Sequence, residues 1–439
     1  MCRKFVSSVA VVAGLFFVCA SISNAKAEPL SELLPKLLKD HERIKAANLD
    51  LEASKQSIRV AQGDYLPTVD FTGNFGHENQ NKATGSDDTS TGFNEASLSA
   101  EQLIWDFGKT FGQIDRAKLA HAQSAMRLKT AEQALIREAL SAYLNLVRVA
   151  ETLRFAQQSE ANIRNQTKLE DALVQRRSGL ATDVLQAKAA LAGAQATRVR
   201  TEGALANAIS RYRAVFRSEP GKLDTFTRPR LAVDKLPSSI DDAIKMALDN
   251  NLDLKIARIN YDIAKKTTEI NRATMVGPEV NLVAETNYKR NVSGTLDTKI
   301  EKLVKVEGTF SFFSGFKDIA TYQGSLKSAS AASNREVDLR RSVEERVRVA
   351  WQNLQTQQTN AQFLRNQSNI AGEFLEKARK ERQLGNRSLV DILSQETAFI
   401  NSVSAALSAE TDTAIAFYDV LFAMSMLNLE VFKEQPKAQ

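Results

Sequence analysis

The chain has 439 residues, with 58 Lys and Arg against 52 Asp and Glu, a formal charge of +6 and two cysteines. Its charges are interspersed along the sequence with no basic cluster, which argues against a nucleic-acid partner. The three histidines, His41, His77 and His121, lack ligand spacing, and no phosphate-binding glycine pattern or nucleophile grouping occurs, so enzymatic readings, cofactors and metals are not supported.

Arg3 and Lys4 precede an apolar run from Phe5 to Ala20, and Ala25-Lys26-Ala27 supplies a small-x-small cleavage pattern, so residues 1–27 are predicted to be a signal peptide. A retained membrane anchor is the alternative, but the run is interrupted by serines and short for a span of about 20 residues. Cys2 and Cys19 both fall in this segment, so the rest of the chain is expected to hold together by packing, without disulfides. No later segment is apolar over the length of a spanning helix, so the remainder is either soluble or crosses a membrane as strands.

A helix is predicted from about Ser31 to Gln62, then a strand in which Val69, Phe71, Gly73 and Phe75 alternate with polar neighbours. Its partner carries Ala96, Leu98 and Ala100 on one face, and His77 to Gly92 between them reads as a long polar loop. After Pro67 there is no proline until Pro220, and from Gln113 to Ser178 no glycine, so one very long helix is predicted there, about 100 Å at about 1.5 Å per residue. A second helix follows from Val184 to Arg213, and Arg217 to Ser239, with three prolines, reads as a linker.

The pattern then recurs. A helix is predicted from about Ile240 to Ala273, followed by strands with Val280, Leu282, Ala284 and Tyr288, and with Val304, Val306, Gly308, Phe310 and Phe312, on one face. Lys289 to Glu301 reads as their polar loop, with long helices from Lys317 to Arg382 and from Val390 to about Leu427 beyond. Trp105-Asp106-Phe107-Gly108-Lys109 and Phe312-Phe313-Ser314-Gly315-Phe316-Lys317 each close a strand pair and open a long helix, their glycines 207 positions apart (315 − 108). The breaks at Gly179 and Gly385 are 206 apart (385 − 179). An internal duplication follows, with units at 28–216 and 240–430, a linker at 217–239 and a tail at 431–439, of which Lys433 to Gln439 is expected to fray.

Apolar and polar dyads of this length suit a barrel with lipid outside and water inside, although any half-exposed hairpin shows them. On that reading Val69, Phe71, Phe75, Leu98, Val280, Leu282, Val304, Val306, Phe310 and Phe312 face lipid, and Asp70, Glu101, Glu285, Lys305 and Glu307 face the lumen. Four strands cannot close a barrel, so several copies must share one. Trp105, Gly108 and Gly315 mark the passage from barrel to helices, where the aromatic residues form either an interface belt or a junction core.

In these features the chain resembles the TolC family of outer-membrane efflux and secretion channels. The resemblance rests on the duplicated helix, strand pair and broken long helix, the Gly-containing turn after each strand pair, and the break Gly385 to Leu393. It implies a mixed α/β membrane protein, a homotrimer whose chains each give four strands to one 12-stranded β-barrel continued by a long α-helical periplasmic barrel. The function implied is the outer-membrane conduit of a tripartite export system, with an inner-membrane transporter of ABC type and a periplasmic adaptor as partners. The segment Gly179 to Ala187 looks most like the type I secretion branch, which carries proteins; small-molecule or drug efflux is the alternative within the family. A periplasmic coiled-coil adaptor or scaffold is the alternative from another class, and it would not need apolar strand faces turned to lipid.

The resemblance also implies sites. Gly179, Leu180, Gly385 and Asn386 lie at the tips of two helical hairpins where pump and adaptor dock, and the gate is carried by Arg387 with Thr182 and Asp183, and by Asp391 as an acidic ring. Here the chain departs from the pattern at Ser394, where a second carboxylate is expected, and at Arg382, where a tyrosine is expected. Asp183 follows its glycine by 4 positions (183 − 179) and Asp391 by 6 (391 − 385). Helix capping is the alternative role for both aspartates.

Overall fold

A computed structural model describes residues 30–81, 88–223 and 226–433. Residues 1–29, which include the predicted signal peptide and both cysteines, and residues 82–87, 224–225 and 434–439 lie outside the described residues.

The first predicted helix is two, α1 (Leu30–Asp40) and α2 (Glu42–Gly63), because His41 adopts extended backbone (ψ 132°) and its Nδ1 accepts the Arg43 N–H at 3.1 Å. Burial holds the His41 imidazole below its ordinary pKa, with Arg43 adding to the effect, which favours the neutral ring that can accept. Asn251 plays the same part in the second unit: it separates α5 (Ile240–Asn250) from α6 (Leu252–Val276) and accepts the Leu254 N–H at 3.1 Å. Neither break was expected from the apolar periodicity, which continues across both.

Four strands, β1 (Thr68–Gln80), β2 (Thr89–Trp105), β3 (Glu279–Arg290) and β4 (Thr298–Thr309), form one antiparallel sheet in chain order. They are longer at the hairpin ends than their dyads suggest: His77 to Gln80 pairs with Thr89 to Gly92, and the outer parts of Lys289 to Glu301 are ladder too, not loop. Thr, Ser and Asn there satisfy the backbone ladder without adding apolar signal. At the other end β4 stops at Thr309, so Phe310 and Phe312, read as lipid-facing strand residues, stand instead in the connection to the next helix, with ring centroids 5.0 Å apart.

The long helices α3 (Lys109–Gln175) and α7 (Lys317–Gln383) have 67 residues each, about 100 Å at about 1.5 Å per residue. Each folds back through a tip turn into α4 (Ala181–Phe216) or α8 (Leu389–Ala423), and a short α9 (Glu430–Lys433) ends the described chain. Near the sheet the helices lie side by side in the order α2, α3, α6, α7; beyond the middle the order is α4, α3, α8, α7. The main core belts the middle, where Leu135, Leu146, Val347, Phe417 and Leu421 are buried with α1 and α5 packed around them. Phe432, in the tail that follows the second unit, is buried in this belt, 5.6 Å from Tyr418 between ring centroids.

The linker is tied to the same belt. Tyr143 Oη donates to the Thr227 carbonyl at 3.0 Å, and the Arg228 guanidinium joins Glu151 of α3 at 2.6 Å and Glu410 of α8.

The two units repeat with an offset of 208 where the backbone turns. Phe107 and Gly108 are both left-handed before α3, as are Gly315 and Phe316 before α7, so the glycine has changed places within the same shape. Asp106 and Ser314 stand at matching positions (314 − 106 = 208): the buried Asp106 carboxylate accepts the Gly108 and Thr110 N–H groups at 3.1 and 2.7 Å, and Ser314 Oγ accepts the Asp318 N–H at 3.4 Å.

At the tips the match corrects the sequence alignment. Gly385 is left-handed (φ 81°) and Asn386 N–H returns to the Glu381 carbonyl at 3.0 Å; in the first unit the left-handed residue is Arg177 (φ 59°), and Ser178 N–H returns to the Leu173 carbonyl at 3.0 Å. Arg177, not Gly179, is therefore the counterpart of Gly385, and Gly179 that of Arg387. Asp183 and Asp391 then each follow the left-handed residue by 6 positions (183 − 177; 391 − 385), and the discrepancy in their spacing disappears. Replacement of Gly385 by Ala meets no atom within 4 Å, so its cost is purely conformational. Gly385→Ala is expected to destabilise its tip by about 1 kcal/mol and Arg177→Gly to stabilise the other by a similar amount, measured by amide exchange in the two turns. Equal and small effects from both would contradict the assigned backbone roles.

Candidate functional site: barrel wall and helical tips

The ladder sorts side chains into two faces. One carries rows such as Val69, Ala100, Ala284 and Val304, then Phe71, Leu98, Thr286 and Lys302, with Val280, Leu282, Val306 and Phe75 in the rows above and below. The register therefore brings together every predicted lipid-facing residue that lies within a strand. The opposite face holds Asp70, Glu78, Glu95, Glu101, Glu279, Glu285, Glu301 and Glu307, with Lys289, Lys299 and Lys305 among them. These lysines are paired on that face: Lys289 with Glu301 at 3.3 Å, Lys299 with Glu301 at 2.6 Å, and Lys305 with Glu307 at 2.5 Å. An acidic, hydrogen-bonded face suits water, and the apolar face suits lipid.

Both ends of the sheet are open, since β1 and β4 have partners on one side only. The helix layer ends on matching sides, with α2 or α4 at one edge and α7 at the other. Where sheet becomes helix, Trp105, Phe107, Phe312, Phe313 and Phe316 are all exposed on the chain. They meet edge to face, Trp105 on Phe107 and Phe313 on Phe316, an arrangement suited to an interface belt more than to a core within one chain. Phe107 also leans on Gly277, where a Cβ would come within 2.3 Å of its ring, so the α6–β3 connection of the second unit is held against the first unit's junction.

At the tips Leu180 caps α4 by position but offers no side-chain bond, whereas Ser388 caps α8 and its Oγ accepts the Asp391 N–H at 3.2 Å. Asp183 and Asp391 lie within the first turns of these helices and are not their caps; their charge complements the helix N-termini. The side chains of Thr182 and Asp183 make no hydrogen bond or ion pair among the described residues. Arg387 is not joined to them within the chain: its Nε donates to Glu381 Oε2 at 2.7 Å and its guanidinium lies 5.1 Å from the centre of the Phe374 ring.

A buried polar seam between the two hairpins went unread in the sequence. Glu170 of α3 is 2% exposed and accepts from Arg382 Nη2 of α7 at 2.9 Å and from Gln166 at 2.8 Å, and Arg382 Nη1 also donates to the Arg387 carbonyl at 3.1 Å. Glu396 of α8 is 3% exposed, pairs with Arg379 and accepts from Asn162 of α3 at 3.0 Å. Arg382, a departure from the family's tyrosine, thus joins helices whose contacting residues are 212 positions apart. The only signal of this seam is the presence of charges on otherwise packed helix faces.

The sheet with one apolar and one acidic face and the helices of about 100 Å define the class of a channel protein that crosses a membrane as strands and continues beyond it as helices. The family model described as outer membrane efflux protein matches residues 33–215 and 243–424, nearly the whole of both units, and the chain belongs to that family. Outer membrane efflux protein BepC of Brucella suis is 21% identical over 99% of this chain and 94% of its own length. Outer membrane protein TolC of Escherichia coli is 24% identical over 92% of this chain and 84% of its own. The Campylobacter jejuni CmeC outer membrane channel shares the fold with a TM-score of 0.78 at 15% identity, covering 93% of this chain and 89% of that one. No helix among the described residues is long and apolar enough to cross a membrane.

The face assignment has a direct test. Val304→Arg is expected to destabilise the inserted barrel by about 2–4 kcal/mol, whereas Thr72→Arg on the lumen face should leave assembly intact and alter conductance. Equal loss of assembled protein from both would reverse or abolish the assignment.

Proposed function

We propose that the chain is the passive outer-membrane conduit of a type I protein secretion system, acting as a homotrimer recruited by an inner-membrane transporter and a periplasmic adaptor. The observation that carries the reading is the pair of open edges. Unpaired strand groups are intolerable in lipid, and β4 of one copy pairing with β1 of the next removes them, while α7 meets the neighbouring α2 and α4 on the same side. Three such chains make a barrel of twelve strands. The family resemblance of Gly179 to Ala187 favours a protein as cargo. Small-molecule efflux is the second reading, favoured by the efflux description that the family and BepC carry.

Trimers that survive SDS without heating are expected in the outer-membrane fraction, and a fully folded detergent-solubilised monomer would overturn the proposal. Deletion should abolish release of a large secreted protein encoded beside the transporter; hypersensitivity to small toxic compounds with secretion unchanged would select the efflux reading.

The gate is proposed to close when Arg387 of each copy reaches Thr182 and Asp183 of its neighbour, leaving Glu381 as its partner within one chain. Charge-assisted bonds of this kind are each modest where water reaches them, but threefold symmetry repeats them. Arg387→Ser is expected to raise single-channel conductance in planar bilayers, while Glu381→Gln leaves it low. If Glu381→Gln reproduces the Arg387→Ser phenotype, the pair within one chain is the latch. Asp391→Ala should weaken block by multivalent cations without opening the tip, since three carboxylates focus positive charge at the entrance.

A further inference from the structure

The lipid-facing side of the sheet carries no carboxylate, yet it carries two cations, Arg290 and Lys302. Both side chains are exposed, and neither makes an ion pair or side-chain hydrogen bond among the described residues. This contrasts with Lys289, Lys299 and Lys305 on the lumen face, each of which has a glutamate partner.

Among the described residues, closure of a trimer does not supply the missing counter-charge. Lys302 lies on β4, the edge that meets β1 of the next copy, and the β1 side chains on that face are Val69, Phe71, Gly73, Phe75, His77 and Asn79. A cation against hydrocarbon is costly, and long cationic side chains relieve the cost by extending toward the interface. The nearer interface is the extracellular one, because β3 runs from the helices at Glu279 to the hairpin end at Arg290.

The rows fit such an arrangement. Lys302 is opposite Thr286, Arg290 is opposite Thr298, and Tyr288 opposite Ile300 fills the row between them. Tyrosine favours the headgroup level, apolar body inward and hydroxyl outward. Lys302 lies one row below it and Arg290 one row above, about 13 Å apart along the strand at about 3.3 Å per residue, so that each long side chain is within reach of the Tyr288 level.

We propose that Arg290, Lys302 and Tyr288 on the β3–β4 hairpin form a binding site for a phosphate-bearing lipid of the outer leaflet, one per chain. The phosphate supplies the counter-charge that this strand face lacks, with the acyl chains lying along Ile300 and Val304. The proposal rests on the assignment of this face to lipid, and the controls separate the two.

The full-length protein, purified and reconstituted into nanodiscs of phosphatidylcholine with or without phosphatidylglycerol, provides the test. Wild type is expected to melt several degrees higher when phosphatidylglycerol is present and to retain that lipid through detergent exchange, measured by mass spectrometry. Arg290→Gln and Lys302→Gln should each reduce retention about fivefold, and the double variant should melt at one temperature in both discs. Inorganic phosphate should not replace the lipid. Lys302→Leu keeps the trimer measurable, since it removes a charge from the apolar face; it should raise the melting temperature in phosphatidylcholine and lower the gain from phosphatidylglycerol. Wild type indifferent to phosphatidylglycerol, or a double variant that keeps the full gain, would overturn the site. Loss of the gain on Lys305→Gln, with Lys302→Gln silent, would show instead that the two faces are exchanged.

Discussion

The demand of every strand for hydrogen-bond partners in a medium that offers none governs this molecule. A sheet of four strands leaves one row of unpaired amides and carbonyls on β1 and another on β4. The helical layer is arranged to serve the same closure, because α7 ends it on the β4 side and α2 and α4 on the β1 side. Apolar side chains exposed on the single chain, such as Phe363, Val349 and Val337 on α7, belong to an element whose outer flank has no partner within the chain.

Within the chain, stability is distributed unevenly. The belt around Leu146, Val347 and Phe417 concentrates the apolar core, and Arg228 binds the linker to both units there. Toward the tips the continuous core shrinks to a small group around Ile163, Ala187, Leu389 and Leu393, and polar bonds carry more of the contact between hairpins. Glu170 and Glu396 are buried with arginine partners, so loss of either partner would strand a charge. The tips therefore have fewer apolar contacts to lose and a more direction-dependent seam than the belt.

Much of the architecture was legible because its periods are strong. Phe71 and Leu98 sit opposite one another as their alternation required, and the absence of proline from both 67-residue helices, with no glycine from Gln113 to Ser178 in the first, made them legible. What escaped notice depended on single residues or on distant pairs. His41 and Asn251 break helices whose apolar pattern does not falter, and polar strand ends such as Thr89 to Gly92 look like loop. Gly179 drew attention as a turn residue, whereas the left-handed backbone belongs to Arg177, whose side chain gives no hint of it. The Arg382 to Glu170 pair spans two units and could not be read from local spacing. The aspartates at the tips were found, but their company in one chain is Ser388 for Asp391 and the α4 N-terminus for Asp183.

The offset of 208 has a consequence for symmetry. With three copies, the hairpin tips form a ring of six whose backbones repeat closely every 60°, while their chemistry repeats only every 120°. One kind turns through a strained arginine and begins its return helix at the uncapped Leu180; the other turns through a glycine and begins at a serine cap. A partner built with sixfold symmetry can match the shape of all six positions, yet it meets two alternating surfaces. Such a ring can seat six identical modules in two grades of contact, or three modules in one.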